Sequence, residues 1–273
     1  MIKDVGDSWQ SGKAKSITFI VTKDCQLACK YCYLVGKNDK ERMSWDIAKA
    51  AVDYILDHEE DFREESVIWD FIGGEPFLEI DLIDRVCDYI KKELYRRNHH
   101  WFNSYRFSFS TNGINYDSDK VQNFIKKNQS HISIGITIDG TKAKHDLNRI
   151  WKGKDYACSF FTELMGKPLD CVLDNQNWCG AGRMLSIDAA GNFYPCTRFA
   201  QYSLRNKKAW IIGNIHDGID KNKLRPFLAL DRCTQSTQEC IDCEVASGCA
   251  WCQGENYDAA DTPTIYQRST AIS

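Results

Sequence analysis

Three cysteines in the segment "DCQLACKYCYL" constrain this chain more than any other feature. Cys25, Cys29 and Cys32 have the spacing CxxxCxxC. A structural zinc site needs four ligands and is usually built from two CxxC-type pairs, so this segment is one ligand short. Three thiolates can instead hold three irons of a [4Fe–4S] cluster and leave the fourth iron open to a further ligand. The alternative is a zinc knuckle that a distant residue completes.

The cysteine content as a whole indicates a reducing compartment. The chain has 13 cysteines in 273 residues, whereas a secreted disulfide scaffold is usually small and carries an export signal. The first residues, MIKDVGDSWQ, resemble neither a signal nor a transit peptide. We therefore expect a cytoplasmic protein in which clustered cysteines bind metal.

Charge and hydropathy argue against two kinds of partner. The net charge is −3 and no basic block stands out, so we expect no nucleic-acid partner. No apolar run approaches the ~20 residues that a membrane span needs, so we expect no membrane partner.

The first half of the chain alternates strand patterns with helix patterns. Between the strands lie a helix that Ser44 can cap, an apolar stripe from Leu82 to Leu94, and a shorter stripe from Val121 to Ile125. This alternation predicts βαβ units, a parallel sheet and an α/β fold. The predicted strands are Lys15–Thr22, Ser66–Gly74, Tyr105–Thr111 and His131–Asp139.

Polar or glycine-rich motifs follow each of these strands. The cysteine loop follows the first strand, GGEP (Gly73–Pro76) the second, TNG (Thr111–Gly113) the third and DGT (Asp139–Thr141) the fourth. Ligands of parallel sheets bind at the carboxyl ends of the strands. We therefore predict one site that all four motifs build.

The cysteine loop, with an aromatic residue before its third cysteine and GGEP after the next strand, resembles the radical S-adenosylmethionine (SAM) enzymes. The resemblance implies that Cys25, Cys29 and Cys32 ligate a [4Fe–4S] cluster whose open iron binds the amino and carboxylate groups of SAM. The 5′-deoxyadenosyl radical formed from SAM would then abstract a hydrogen atom from the substrate. The residues expected to contact the cofactor are Tyr31, Gly73, Gly74, Glu75, Pro76, Ser110, Asn112 and Thr137.

Physical chemistry supports GGEP beside SAM. Glycines let the backbone approach a ligand closely. The Glu75 carboxylate and the freed backbone carbonyls can accept charge-assisted bonds from the SAM ammonium, while Pro76 fixes the turn. The alternative is a strand-to-helix turn with a solvated glutamate. Ser110, Asn112 and Thr137 could equally form turns or satisfy polar groups in the core.

A second set of cysteines, in "CGAGRMLSIDAAGNFYPC" and "CIDCEVASGCAWC", resembles the SPASM extension of radical SAM peptide maturases. This extension binds two auxiliary [4Fe–4S] clusters. The first stretch also predicts a hairpin, Leu185–Asp188 and Asn192–Cys196, around a glycine turn. By the family's arrangement the nearer cluster would use Cys179, Cys196 and Cys252. The farther cluster would use Cys240, Cys243 and Cys249, with Cys233.

This second set departs from the family pattern. Its last pair is CxxC rather than CxxxC, and no cysteine follows Cys252. Cys171 and Cys233 could make good the missing ligands, or one cluster could keep an iron open for a substrate thiolate. The alternative is a zinc ribbon built from the two CxxC pairs, Cys240, Cys243, Cys249 and Cys252.

The resemblance also predicts the division into domains. A radical SAM core has six strand–helix units, of which we find four. The segment between Arg149 and Cys179 cannot hold two more, because a βαβ unit needs roughly 30 residues. We expect a shortened, partial (β/α) barrel in residues 1–156, then a bridge in 157–178 where core sequence is deleted or missing. A small, cysteine-rich SPASM-like domain would occupy residues 179–273.

The resemblance implies a peptide maturase working in an anaerobic host. It would abstract a hydrogen atom from a residue of a cysteine-containing, ribosomally made precursor peptide and form a thioether cross-link, with flavodoxin or ferredoxin as electron donor. One alternative is an anaerobic sulfatase-maturing enzyme that generates formylglycine. An alternative of another class is a zinc-binding or catalytically inactive relative that binds peptides.

Overall fold

An eight-stranded sheet runs through the described part of the chain. The computed structural model describes residues 14–29, 32–35, 39–137, 168, 171, 180–244, 246 and 252–260. The strands are β1 (Ala14–Thr22), β2 (Ser66–Gly73), β3 (Tyr105–Thr111), β4 (Ile132–Ile136), β5 (Leu185–Ile187), β6 (Asn192–Tyr194), β7 (Gly213–Asn214) and β8 (Gly218–Ile219). Their order across the sheet is β4-β3-β2-β1-β5-β6-β7-β8.

Seven α-helices accompany the sheet in the described residues. They are α1 (Trp45–Asp57), α2 (Ile80–Arg96), α3 (Asp119–Asn128), α4 (Lys221–Leu228), α5 (Arg232–Gln235), α6 (Gln238–Ile241) and α7 (Gln253–Ala260). The Ser44 side chain caps α1 by accepting a hydrogen bond from the Ile47 N–H at 3.3 Å, as predicted. None of the described helices combines the length and the apolar character that a membrane span requires.

The first four strands form the predicted parallel α/β sheet. β1 pairs with β2, β2 with β3 and β3 with β4, all in parallel. Alternate residues of these strands face α1, α2 and α3, and they form an aromatic core around Phe19, Trp69, Phe71 and Phe107. Because the side-chain period of a strand is two, the intervening residues face the opposite side of the sheet. The predicted α/β fold with a mostly parallel sheet is confirmed.

The second half of the chain extends the same sheet. β5 lies beside β1 in parallel, with Ile17 opposite Leu185, and β6 pairs antiparallel with β5. The predicted hairpin around Gly191 is thereby confirmed. Residues that we assigned to the C-terminal domain therefore contribute four strands to the sheet of the core. Most of the predicted bridge, 157–178, lies outside the described residues.

Candidate functional site

The cysteine loop begins where β1 ends. Cys25 is buried, with 4% of its surface exposed, while Cys29 and Cys32 are half-buried. All three keep thiol groups rather than disulfide bonds. The Cys32 N–H donates to the Cys29 carbonyl at 3.2 Å, which folds the CxxC half of the loop into a turn. Tyr31 lies outside the described residues.

The two glycines of GGEP hold the base of this loop against β2. The Gly74 N–H donates to the Thr22 carbonyl at 2.9 Å and the Glu75 N–H to the Asp24 carbonyl at 2.8 Å. A Cβ on Gly74 would lie 2.0 Å from the Asp24 carbonyl oxygen, and one on Gly73 would lie 2.2 Å from that of Thr22. Both positions therefore require glycine because the two backbones touch, a reason that the sequence analysis did not give.

Glu75 joins the ends of β2 and β3. Its carboxylate is fully buried and accepts hydrogen bonds from the Thr111 hydroxyl at 2.7 Å, the Asn112 N–H at 2.8 Å and the Phe77 N–H at 3.1 Å. The alternative of a solvated glutamate is therefore wrong. Direct contact between this carboxylate and the SAM ammonium stays a prediction. Pro76 is buried and starts the 3₁₀ turn that Glu75 caps.

Asn112 reaches the first cysteine of the loop. Its Nδ2 lies 3.7 Å from the Cys25 sulfur and 3.2 Å from the Gln26 Oε1. Its Oδ1 accepts a hydrogen bond from the Ile114 N–H at 2.9 Å. A residue predicted from its place after β3 is thus brought against a predicted cluster ligand.

The remaining predicted polar residues lie at the same edge of the sheet. Ser110 is exposed near the end of β3, and Thr137 is exposed just after β4, where its N–H donates to the Thr111 carbonyl at 3.5 Å. The structure therefore brings the ends of four strands together, as predicted. The DGT motif that begins at Asp139 lies outside the described residues.

A row of polar side chains crosses five strands on the face opposite the helices. Paired positions place Ser133, Ser108, Asp70, Thr18 and Ser186 side by side on β4, β3, β2, β1 and β5. Burial raises the pKa of Asp70 to about 6, a shift that the neighbouring Ser108 and Thr18 hydroxyls oppose. The Ser186 hydroxyl is buried and has no partner among the described residues. The sequence analysis missed this row, although the alternation of polar and aromatic residues within the strands signals it.

One cysteine of the second set, Cys252, lies beside Arg198. Cys196 is buried after β6, and Cys252 directly precedes α7. The Arg198 guanidinium lies near the Cys252 sulfur and donates a hydrogen bond to the Glu255 carboxylate at 2.5 Å. Burial lowers the pKa of Arg198, but the neighbouring Cys252 and Glu255 outweigh this effect, so the pKa is raised. Arg198 also lies 5.1 Å from the ring centre of Tyr33, in the cysteine loop. That Cys196 and Cys252 ligate one auxiliary cluster stays a prediction, and their third predicted partner, Cys179, lies outside the described residues.

The farther predicted ligand set is only partly described. Cys240 lies within α6 and Cys243 follows it, both half-buried, while Cys249 lies outside the described residues. Cys233 forms a disulfide with Cys171. A disulfide sulfur has no thiolate to give a metal, so in this state neither residue can supply the missing ligand that the sequence analysis assigned to it. Ligation by Cys233 would require reduction of this bond.

A further group of possible metal ligands, Glu59, His99 and His100, lies beyond the opposite ends of the strands. His99 Nδ1 accepts the Trp101 N–H at 3.2 Å, so its Nε2 carries the proton and faces Glu59 at 3.7 Å. Burial and the neighbouring His100 lower the pKa of His99 to about 4. With Nδ1 accepting the Trp101 N–H and Nε2 protonated, neither ring nitrogen of His99 offers a lone pair to a metal ion in this arrangement.

Comparison with known proteins assigns the class. A sequence profile of the Radical SAM superfamily matches residues 19–159, which include the cysteine loop, GGEP and TNG. The chain belongs to this superfamily. Its enzymes use a [4Fe–4S] cluster, and the residues at this site fit one: three thiols follow β1, and N–H donors from Asn112 and Leu27 surround the sulfur of Cys25.

Two curated proteins each resemble about half of the chain. Uncharacterized protein MJ0907 of Methanocaldococcus jannaschii is 32% identical over 140 residues, or 51% of this chain and 44% of the relative. A cysteine-type anaerobic sulfatase-maturating enzyme of Clostridium novyi is 30% identical over 142 residues, or 50% of this chain and 36% of the relative. The chain therefore matches less than half of the length of these relatives.

Solved structures share the fold over a longer span. Native anSMEcpe with bound AdoMet aligns with a TM-score of 0.63 at 16% identity, covering 92% of both chains. SuiB of Streptococcus suis, bound to the precursor peptide SuiA, aligns with a TM-score of 0.52 at 12% identity, covering 94% of this chain and 76% of SuiB. At these identities the likeness shows the fold alone.

Proposed function

We propose that this protein is a radical SAM enzyme that modifies a peptide. Cys25, Cys29 and Cys32 would hold a [4Fe–4S] cluster with one iron open to SAM. When bound, the cluster supplies the electron that cleaves SAM to methionine and the 5′-deoxyadenosyl radical. The observation that carries the proposal is the contact between the loop and two other strand ends: GGEP bonds its base, and Asn112 reaches the Cys25 sulfur.

The protein's own residues would position and shield the reactants. The Gly73–Gly74 backbone fixes where the cysteine loop leaves β1. Glu75 keeps the ends of β2 and β3 together. Ser110 and Thr137, exposed at the same edge, are available to bond SAM. The role of this set is to hold SAM over the open iron with little reorganisation.

A peptide substrate is supported by what the structural neighbours bind. SuiB was solved with a precursor peptide, and anSMEcpe with the Cp18Cys peptide. We infer that this chain likewise acts on a cysteine-containing precursor peptide and forms a thioether. This reaction breaks one C–H and one S–H bond and forms a C–S bond. One hydrogen atom goes to 5′-deoxyadenosine, and one proton and one electron must leave.

We propose that clusters held by the cysteines of the second half receive that electron. Arg198 lies near both Cys252 and Tyr33, which supports the proposal that the two cysteine-bearing regions are adjacent. We propose that Cys179, Cys196 and Cys252 hold one auxiliary [4Fe–4S] cluster, and that Cys240, Cys243 and Cys249 contribute to a second. A flavodoxin or ferredoxin in the cytoplasm would supply the electron for SAM cleavage.

SAM cleavage tests the core of the proposal. The protein is purified without oxygen, reconstituted with iron and sulfide, reduced with dithionite and given SAM. We expect 5′-deoxyadenosine from the wild type and none from Cys29→Ala, because the variant lacks one of three ligands. A brown protein that makes no 5′-deoxyadenosine would identify an inactive relative. A colourless, zinc-loaded protein would refute the proposal.

The Clostridium novyi relative favours a second candidate, the maturation of a sulfatase. The two reactions differ in the fate of sulfur. A thioether product keeps the sulfur and loses two hydrogens, whereas conversion of cysteine to formylglycine removes the sulfur. Mass spectrometry of cysteine peptides incubated with the active enzyme separates the two.

A further inference from the structure

We propose that Asn112 sets the reduction potential of the cluster at Cys25, Cys29 and Cys32 through a hydrogen bond from its side-chain amide to the Cys25 sulfur. The inference rests on the cluster of the proposed function and is independent of the substrate. It gives Asn112 a role towards the cluster that is separate from its predicted contact with SAM.

The geometry around the Cys25 sulfur carries the inference. The Asn112 Nδ2 lies 3.7 Å from this sulfur, and the Leu27 backbone N–H donates to it at 3.4 Å. Sulfur accepts at longer distances than oxygen because its radius is larger. Cys25 is 4% exposed, so fixed protein donors provide stabilisation that water gives to an exposed thiolate.

The orientation of the Asn112 amide follows from its other partners. Its Oδ1 accepts the Ile114 N–H at 2.9 Å, a contact that the NH₂ group could not make. The NH₂ group must then face the Cys25 sulfur and the Gln26 Oε1, both of which accept. The carbonyl and amino ends of Asn112 therefore cannot be exchanged without losing bonds at both.

The backbone at Asn112 is equally fixed. Its N–H donates to the Glu75 Oε2 at 2.8 Å, and the Thr111 hydroxyl bonds the Glu75 Oε1 at 2.7 Å. Since Glu75 is fully buried, this pairing holds the end of β3 in place. The donor is thus preorganised and does not need to be ordered when the cluster is reduced.

The chemical consequence has a definite sign. Reduction places an additional electron on the cluster and increases the negative charge on its thiolate sulfurs. A donor to one sulfur stabilises the reduced cluster more than the oxidised one, so it raises the reduction potential. Removal of the Asn112 donor should therefore make the cluster harder to reduce.

Three variants separate the donor from its surroundings. Asn112→Ala removes the donor. Asn112→Asp keeps an oxygen for the Ile114 N–H but faces the sulfur with a charged acceptor. Gln26→Glu is the matched control, because it adds the same charge next to Asn112 and keeps an acceptor for the Asn112 amide.

The measurement is a potentiometric titration of the reconstituted cluster, followed by EPR without SAM. At the wild-type midpoint, we expect Asn112→Ala to lower the ratio of reduced to oxidised cluster threefold or more, which is about 28 mV for a one-electron couple. Asn112→Asp should lower this ratio further, and Gln26→Glu should lower it less than Asn112→Asp does. An Asn112→Ala midpoint equal to that of the wild type, with full iron content, would overturn the inference.

A measurement on the wild type keeps the test decisive if the variants lose the cluster. Protein labelled with ¹⁵N-asparagine should show a ¹⁵N coupling to the reduced cluster by pulsed EPR, and the absence of this coupling would overturn the inference. Failure of the proposed function looks different. In that case the wild type assembles no cluster or makes no 5′-deoxyadenosine, whereas failure of this inference leaves Asn112→Ala with a normal cluster and an unchanged potential.

Discussion

Single residues at the candidate site allow close contact between backbone segments that are far apart in the sequence. The glycine pair of GGEP is an example: its value lies in contact with the first residues of the cysteine loop, which are some 50 positions earlier in the chain. Glu75 likewise bonds Thr111 and Asn112 rather than solvent. These contacts support the cluster loop, and the contact of the same residues with SAM stays a prediction.

Gly74→Ala should uncouple the cysteine loop from β2. The added methyl group would lie 2.0 Å from the Asp24 carbonyl oxygen, a distance that the backbone must relieve by moving. We expect at least a severalfold loss of iron bound at the loop after reconstitution, measured by iron analysis and absorbance near 400 nm.

Gly135→Ala is the matched control for that variant. Gly135 is also a strand glycine, but its added methyl group would meet only the Phe109 carbonyl oxygen at 3.6 Å, an ordinary contact. Its iron content should equal that of the wild type. Equal iron in both variants would contradict the loop-docking role of Gly74.

Among the elements, α7 is held by a carboxylate that bonds backbone groups. Asp258 is 7% exposed and accepts N–H donors from three consecutive residues, Arg205, Asn206 and Lys207, at 2.8–3.1 Å. α7 starts immediately after Cys252. The attachment of α7 to the turn at residues 205–207 therefore helps to fix the position of Cys252.

Asp258→Ala should release the turn at residues 205–207 from α7. The lost bonds to a charged acceptor are worth roughly 3 kcal/mol of the free energy of unfolding. We expect a lower thermal midpoint and faster hydrogen exchange at the amides of residues 205–207. Asp258→Asn keeps one acceptor oxygen, so its thermal midpoint and amide exchange rates should lie between those of Asp258→Ala and the wild type. Unchanged exchange at these amides in Asp258→Ala would refute the attachment.

At the scale of the whole molecule, β1 is the strand on which both halves of the chain assemble. It pairs with β2 on one side and β5 on the other, so Thr18 lies between Asp70 and Ser186. The polar row that this pairing creates crosses five strands and includes a carboxyl group in a buried position. The free-energy cost of burying this carboxyl group depends on pH.

Asp70→Asn should stabilise the protein at neutral pH but not in acid. Burial raises the pKa of Asp70 from 3.8 to about 6, so the native state keeps a proton that the unfolded chain has lost. Below pH 3.8 both states are protonated and stability is highest on this account. Stability then falls as pH rises towards 6, because ∂ΔG/∂pH is negative where the native state binds more protons.

Asp70→Asn does not lose stability in this way as the pH rises. Relative to the wild type, its free energy of unfolding should increase from pH 4 to about pH 7 by on the order of 2 kcal/mol and then stay level. Thermal unfolding of both proteins across this range measures the difference. A constant difference between the two proteins from pH 4 to pH 7.5 would contradict a raised pKa at Asp70.

Local patterns in the sequence determined much of the fold. Period-two and period-3.6 repeats, turn glycines and the Ser44 cap predicted four strands, three helices and the later hairpin, because each depends on residues close together in the chain. The spacing of Cys25, Cys29 and Cys32 predicted the cluster loop for the same reason. The rule that parallel strands place their carboxyl ends together then located the site.

Only the tertiary structure decided which distant groups meet. The contact of Asn112 with Cys25 spans 87 positions, the partners of Glu75 lie on another strand, and β5 joins the sheet beside β1. The disulfide of Cys171 with Cys233 spans 62 positions and engages two cysteines that spacing had offered as ligands. A local pattern states whether a segment is a strand or a turn and which face it buries. It does not state which other segment covers that face, because that choice depends on the packing of the whole chain.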